Sequence, residues 1–115
     1  MVVPDRRQSD SEEGISYDFP IYLTPEDRAH LRLLVGPRGK LLDFAIMQDI
    51  LIAGDWMPVV RFDCHENFHV HRFRIGGVES RTVLGDRNDL DQKFDTAVAD
   101  MLQHWEENRR RYLDG

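Results

Sequence analysis

A chain of 115 residues, 41% hydrophobic and 31% charged, has room for one domain with one core and is too apolar for wholesale disorder. Its formal net charge of −6 argues against a protein that coats nucleic acid through its overall electrostatic field, although it does not exclude local basic patches. The single cysteine excludes an internal disulfide, and the sequence shows neither a signal peptide nor an apolar run that could span a membrane, so we expect a cytoplasmic protein.

Residues 1–19 are predicted to form a flexible acidic arm, and residues 20–115 a single domain. The arm is rich in acids and poor in residues of the kind that proteins bury. Behind it, Thr24 and Pro25 suit the start of a short helical turn, although the apolar LRLLV that follows is equally compatible with a strand. The sequence leaves open whether residues 15–30 add an edge strand.

From residue 30 the apolar residues recur with a period of two, which is typical of β-strands. Turn signals at residues 36–39, 54–55 and 65–67 divide this part of the chain, and residues 80–84 suit a further short strand. The pattern predicts an antiparallel meander of four or five strands. Pairing Leu33 with Leu42 and Leu31 with Phe44 aligns the apolar faces of the first hairpin, and the turn at 54–55 must hold an odd number of residues or a bulge.

The hairpin that contains FDCHENFHVH is predicted to turn at residues 65–68. Cys64 then pairs with His69, Phe62 with His71, and Val60 with Phe73. In this register Cys64 and the two histidines share one face, while Arg61, Asp63 and Arg72 lie on the other face.

A long amphipathic helix is predicted from Asn88 or Asp89 to about Tyr112, with Asn88 as a candidate N-cap. Its apolar residues recur at intervals of three and four, so it should pack across the apolar face of the sheet. The predicted fold class is therefore α+β, an antiparallel meander covered on one face by a C-terminal helix.

The histidine-rich hairpin is open to three interpretations. Cys64, His69 and His71 could bind zinc. Alternatively, His69 and His71 could act as an acid–base pair, since imidazole titrates near neutral pH, with His65 assisting and Arg61 and Arg72 holding phosphate. Histidines at the end of a sheet can also serve only to satisfy hydrogen bonds, and a lone cysteine often behaves as a small hydrophobe.

The segment VVRFDCHENFHVH, with the later HWEENRRRY, resembles a group of small uncharacterised bacterial proteins, and more distantly the TumE-like toxins of bacterial toxin–antitoxin loci. Those toxins share an Arg-Tyr-Asp, histidine and His-x-His hairpin. The match falls on Arg61, Asp63, His65, His69 and His71. It departs at Phe62, where the pattern has tyrosine, and at Glu66-Asn67, where the pattern tends to have glycine.

We therefore expect a toxin-like or RNA-directed protein that acts through this hairpin, with RNA or a cognate antitoxin as its partner. The alternative is a non-catalytic zinc-binding or protein-interaction module, in one form a homodimer.

Overall fold

The structure, a computed structural model, describes residues 5–8, 14–77 and 79–115, the first of these segments by its backbone alone. The described chain forms one seven-stranded antiparallel sheet in which every strand pairs with its neighbours in sequence, followed by one helix. In chain order the elements are β1 Asp5–Gln8, β2 Ile15–Thr24, β3 Asp27–Val35, β4 Leu41–Ile52, β5 Asp55–Asp63, β6 Phe68–Phe73, β7 Glu79–Gly85 and α1 Leu90–Asp114.

The predicted α+β fold, an antiparallel meander with a C-terminal helix packed on it, is confirmed. The predicted number of strands was too low. The helical turn considered at Thr24 is instead a tight turn between β2 and β3, in which the Thr24 hydroxyl accepts a hydrogen bond from the Glu26 amide at 3.1 Å and donates one to Asp27. Strand β2 therefore supplies the additional strand that the sequence left open.

Strand β2 begins at Ile15 and so crosses the predicted boundary between arm and domain. Residues 5–8 of the predicted arm form β1 and pair with β2. The remainder of the arm, residues 1–4 and 9–13, lies outside the described residues, and its flexibility stays a prediction.

One face of the sheet is covered by α1, which packs on β4 and β5. This face carries the alternating apolar residues that the period of two predicts. Phe44 of β4 contacts Phe94 of the helix edge to face, with ring centroids 5.5 Å apart. The buried apolar core comprises Ala29, Leu31, Phe44, Ile46, Ile50, Val59, Val60, Phe62, Cys64, Phe68, Val70, Leu90, Ala97, Met101 and Tyr112.

Of the two alternatives predicted between the second and third predicted strands, an odd-length turn or a bulge, the structure has the bulge, and it lies within β5. Gln48 pairs with Val60 and Asp49 with Pro58, so Val59 is the extra residue of β5. The register of the first predicted hairpin is two residues from the prediction, since Leu33 pairs with Phe44. A shift of two residues in the pairing keeps each side chain on its predicted face, so the apolar side chains of the two strands still lie on the same face.

Helix α1 begins after Asp89, whose side chain accepts the Gln92 amide hydrogen bond at 3.2 Å and occupies the N-cap position. The candidate cap Asn88 instead binds the Asp86 carboxylate through its own amide. In the described part of the chain, no helix combines the length and the apolar character that crossing a membrane requires.

A buried polar contact joins the helix to the sheet. Gln48 is completely buried, and its side-chain amide donates to the Trp105 carbonyl oxygen at 2.8 Å. Asn108, also buried, donates to the Gln48 side-chain oxygen at 3.1 Å and accepts from Arg111 at 3.0 Å. Because an unpaired buried amide is costly, this contact sets the position of α1 along β4.

We predict that Asn108→Ala lowers the free energy of unfolding by about 1–3 kcal/mol, because it leaves the Gln48 oxygen buried without its donor. Urea denaturation measures the change. The matched control is Gln103→Ala on the exposed side of the same helix, which should change stability by less than about 0.5 kcal/mol. Equal effects of the two substitutions would contradict the role of the contact.

Candidate functional site

The β5–β6 hairpin has a register one residue away from the predicted one. Phe62 pairs with Val70, Asp63 with His69, and Arg61 with His71, so the loop consists of residues 64–67 and Phe68 belongs to the strand. Phe68 stacks on Phe62 with ring centroids 6.2 Å apart. The predicted register was therefore wrong. The physical reason is that burying Phe68 and Val70 in the apolar core is more favourable than burying two imidazoles there.

The loop itself supports the observed register. The Asp63 carboxylate accepts a hydrogen bond from the His65 amide at 2.7 Å, an Asx turn that begins the reversal of the chain. Glu66 adopts a positive φ of 67° and completes it. These local contacts place the turn one residue earlier than the sequence prediction.

The shift of one residue changes which side chains share a face. His69 and His71 lie on the face opposite the helix, in one row with Asp63 and Arg61, their direct partners on β5. Arg72 pairs with Val60 and lies on the helix face instead. There, burial and the nearby positive charge of Arg72 lower the pKa of Arg111. The predicted common face of Arg61 and Arg72 is therefore wrong, while their role in holding phosphate stays a prediction.

The two histidines form a tightly held pair. Their ring centroids are 4.8 Å apart at 75°, and the residues are only 4% and 9% exposed. His69 Nδ1 lies 2.8 Å from the Asn67 carbonyl oxygen, and His71 Nδ1 contacts the Glu79 carboxylate. Because both partners are acceptors, each neutral ring carries its proton on Nδ1 and keeps a lone pair on Nε2.

Arg61 completes the row beside His71. Its Cζ lies 6.0 Å from the centre of the Phe73 ring, and its Nε is 3.9 Å from Asp63 Oδ2, beyond hydrogen-bonding distance. Buried Arg61 Nε has no hydrogen-bond partner among the described residues. A guanidinium next to two imidazoles can bind an anion by donating hydrogen bonds to it.

Cys64 is separated from the histidines. It is completely buried, its sulfur lies 2.9 Å from Asp43 Oδ1 and 3.3 Å from the Phe44 carbonyl oxygen, and the Phe44 amide donates to it. Burial, followed by the hydrogen bond to Asp43, raises the pKa of the Cys64 thiol to about 11. The thiol therefore stays protonated at neutral pH and is a poor zinc ligand.

The zinc hypothesis consequently has no geometric support. Within residues 14–77 and 79–115, no group of three or more His, Cys, Asp or Glu side chains is arranged to hold a metal ion. His65, the predicted assistant of the pair, is exposed in the loop and lines a cleft of about 360 Å³ together with Arg32 and Asp63.

A groove of about 410 Å³ runs along the face opposite the helix and reaches the hairpin at Arg61 and Asp63. Arg28, His30 and Arg32 of β3 line one side of it, and Trp56 lines the end. The floor is made of shorter or less polar residues, among them Ala45, Met47 and Pro58.

The charges in this groove are partly compensated. Arg28 Nε donates to Asp49 Oδ2 at 2.9 Å, and the Arg28 guanidinium lies over the Trp56 ring at 4.3 Å. Burial raises the pKa of Asp49, and the hydrogen bond from Arg28 opposes that rise. His30 contacts Asp18, and Arg32 Nε lies 3.6 Å from the same carboxylate.

Sequence reasoning missed these residues. Arg28, His30 and Arg32 alternate with Ala29, Leu31 and Leu33 in the printed sequence, which is the pattern of a strand with one polar face. That signal was available. In contrast, no local pattern links Glu79 to His71 or Asn67 to the ring of His69.

We predict that Cys64 reacts slowly with Ellman's reagent at pH 8 in the folded protein and completely after denaturation in urea, because its raised pKa and burial suppress the thiolate. Placing the only cysteine at the exposed position 65, by Cys64→Ala with His65→Cys, should give fast labelling of the folded chain. Rapid labelling of native Cys64 would contradict the structure.

Since folding favours the protonated thiol, the associated stabilisation should be complete below the ordinary thiol pKa of 9.0 and should be lost as the pH rises through about 11. Urea titrations between pH 8 and pH 12, compared with those of Cys64→Ala, measure this dependence.

Comparison with known proteins assigns the chain to a family but gives no activity. Neither the curated proteins nor the solved structures include a match. The family model for a domain of unknown function, DUF7718, matches residues 9–115, which is nearly the whole chain and includes the histidine pair and the groove. The protein is therefore a member of the DUF7718 family.

Proposed function

We propose that this protein is an RNA-directed, toxin-like bacterial protein whose active surface is the β5–β6 hairpin. The observation that carries the proposal is the row on the face opposite the helix, where Arg61 lies beside His71 and Asp63 beside His69. A cation and two imidazoles on one face are the groups that RNA cleavage without a metal requires. The resemblance of this hairpin to the TumE-like toxins supports the same assignment.

The proposed reaction is transfer of the RNA phosphodiester to the neighbouring 2′-hydroxyl. One imidazole Nε2 removes the hydroxyl proton, the 2′-oxygen forms a bond to phosphorus, and the bond to the 5′-oxygen breaks. The second imidazole, in its protonated form, donates a proton to the leaving 5′-oxygen. The products are a 2′,3′-cyclic phosphate and a 5′-hydroxyl, and one proton is removed for each proton donated.

The hydrogen bonds suggest the two roles. The Nδ1 of His71 faces the Glu79 carboxylate, which balances the positive charge of an imidazolium, so His71 is assigned as the acid. The Nδ1 of His69 faces neutral oxygens of Asn67, so His69 is assigned as the base. Arg61 would hold the phosphate with its guanidinium, since it lies directly beside His71 on the neighbouring strand.

Access is the main demand that this mechanism makes on the structure. Both histidines are buried, and Arg61 and Arg81 flank His71 on the adjacent strands. Arg81 is exposed, and its contact with Asn67 at 3.2 Å is at the surface. Long arginine side chains change rotamer readily, so an incoming phosphate can draw them aside and reach the rings.

We predict that induced expression slows bacterial growth and that His71→Ala or His69→Ala restores it. In purified protein each substitution should lower RNA cleavage by about 100-fold or more, the usual contribution of a general acid or base. Cleavage should persist in EDTA and leave 2′,3′-cyclic phosphate ends, detected by gel mobility before and after acid treatment.

The control is His104→Ala, a histidine on the helix whose Nδ1 lies 3.1 Å from the Asp100 carbonyl oxygen of the same helix. It should keep both toxicity and cleavage. Normal growth at high levels of soluble wild-type protein, with no cleavage in vitro, would overturn the proposal.

A second candidate function is partner binding along β7, which one observation favours. Strand β7 is the edge of the sheet, and six of its seven residues are exposed, including Val83 at 54% and Leu84 at 48%. An edge strand of this length can pair with a strand of another chain, and a second copy of the protein would bring the same edge.

If a second copy pairs at β7, light scattering should show a dimer at micromolar concentration. Val83→Lys places a charge on this edge and should give a monomer with an unchanged melting temperature. Lys40→Glu, a charge change in the exposed β3–β4 turn, is the control and should leave the dimer intact. A monomeric wild-type protein would exclude self-pairing at this edge.

A further inference from the structure

We propose that the groove opposite the helix binds single-stranded RNA, with a base stacked at the Tyr22–Trp56 end and phosphates at Arg32 and Arg61. This inference rests on the proposed function and names its substrate class. Arg61 belongs both to the groove and to the row that contains His71. An RNA strand bound in the groove would therefore continue directly to the histidine pair.

The aromatic end of the groove is exposed and already organised for stacking. Tyr22 is 59% exposed, and its ring lies 6.0 Å from that of Trp56 at an angle of 58°. Arg28, anchored by Asp49, lies over the Trp56 ring. Nucleobases stack on exposed aromatic side chains that lie beside a cationic groove.

The arginines differ in how fully their charges are satisfied. Arg28 is paired with Asp49 at 2.9 Å and serves to position Trp56. The Arg32 side chain is 73% exposed, with its Nε 3.6 Å from Asp18 Oδ2, and the Arg61 side chain is 32% exposed, with its Nε 3.9 Å from Asp63 Oδ2. Arg32 and Arg61 are therefore the two groove cations with donors to offer to phosphate.

The sheet register gives the path from the groove to the histidine pair. His30 of β3 pairs with Met47, Met47 with Arg61, and Arg61 with His71, so these four residues form one row across β3 to β6. Neighbouring strands are about 4.8 Å apart, so the row spans about 14 Å. This length suits a few nucleotides in an extended strand.

The aromatic end of the groove favours single-stranded RNA over duplex RNA. Stacking on Tyr22 and Trp56 requires a base that is free of its partner, and a duplex buries its bases inside the helix. The net charge of −6 removes a general attraction for nucleic acid, so binding here should depend on these few contacts.

The test is fluorescence anisotropy of the full chain with a labelled 10-nucleotide single-stranded RNA, compared with the same sequence as a duplex. Because wild-type protein could cleave the probe, every measurement uses the His71→Gln background. Tyr22→Ala should weaken binding about fivefold or more through lost stacking. Arg32→Ala should weaken it and reduce the slope of log K against log salt by about 0.7, as expected for one lost phosphate contact.

The matched control is Arg110→Ala, an exposed arginine on the helix, which should leave affinity and salt slope unchanged. Tyr22 and Arg32 are both largely exposed, so their substitution should preserve the fold, and thermal melts check this.

Binding of single-stranded RNA that is equal in the groove variants and in the control would overturn the groove while leaving the proposed cleavage intact. Preference for the duplex, or no binding at all, would also overturn the groove, and the growth and cleavage experiments would then judge the proposed function separately. Groove-dependent binding without histidine-dependent cleavage would support the groove and overturn the catalytic role.

Discussion

Burial of Phe68 and Val70 in the apolar core determines where every polar group of the β5–β6 hairpin lies. Neighbouring side chains of a strand point to opposite faces, so two apolar residues in the core place His69 and His71 on the outer face. Each buried apolar side chain contributes about 1.5–3 kcal/mol, and the opposite register would bury two imidazoles in their place. The polar row on the outer face is thus a consequence of core packing.

The bulge at Val59 also determines which side chains share the outer face. Trp56 and Arg61 are an odd number of residues apart, so a regular strand would point them to opposite faces. The extra residue reverses the alternation, and both side chains line the same groove. A single inserted residue in β5 therefore joins an aromatic end, a cationic middle and the histidine row into one continuous surface.

One face of the sheet carries the contacts that stabilise the fold, and the other face carries the polar groups of the candidate site. The helix face holds the apolar core and the Gln48–Asn108 contact, which keep α1 in place. Each groove arginine of the outer face has a carboxylate nearby, and Arg28 donates a hydrogen bond to Asp49. This balance keeps the face stable without a ligand and limits non-specific attraction to polyanions, while Arg61 Nε remains without a hydrogen-bond partner among the described residues.

The sequence by itself determined the α+β class, the alternating strands, the need for an odd-length turn or a bulge before the third predicted strand, and the C-terminal helix, because hydrophobic periodicity is a local property of the chain. It also located the unusual hairpin. Only the tertiary structure decided that His69 and His71 share a face with Arg61 and not with Cys64 or Arg72. Faces depend on register, and register depends on which residues the core accepts from across the sheet. The contact of Glu79 with His71 and the groove beneath Arg32 likewise arise from strand neighbours that no local pattern records.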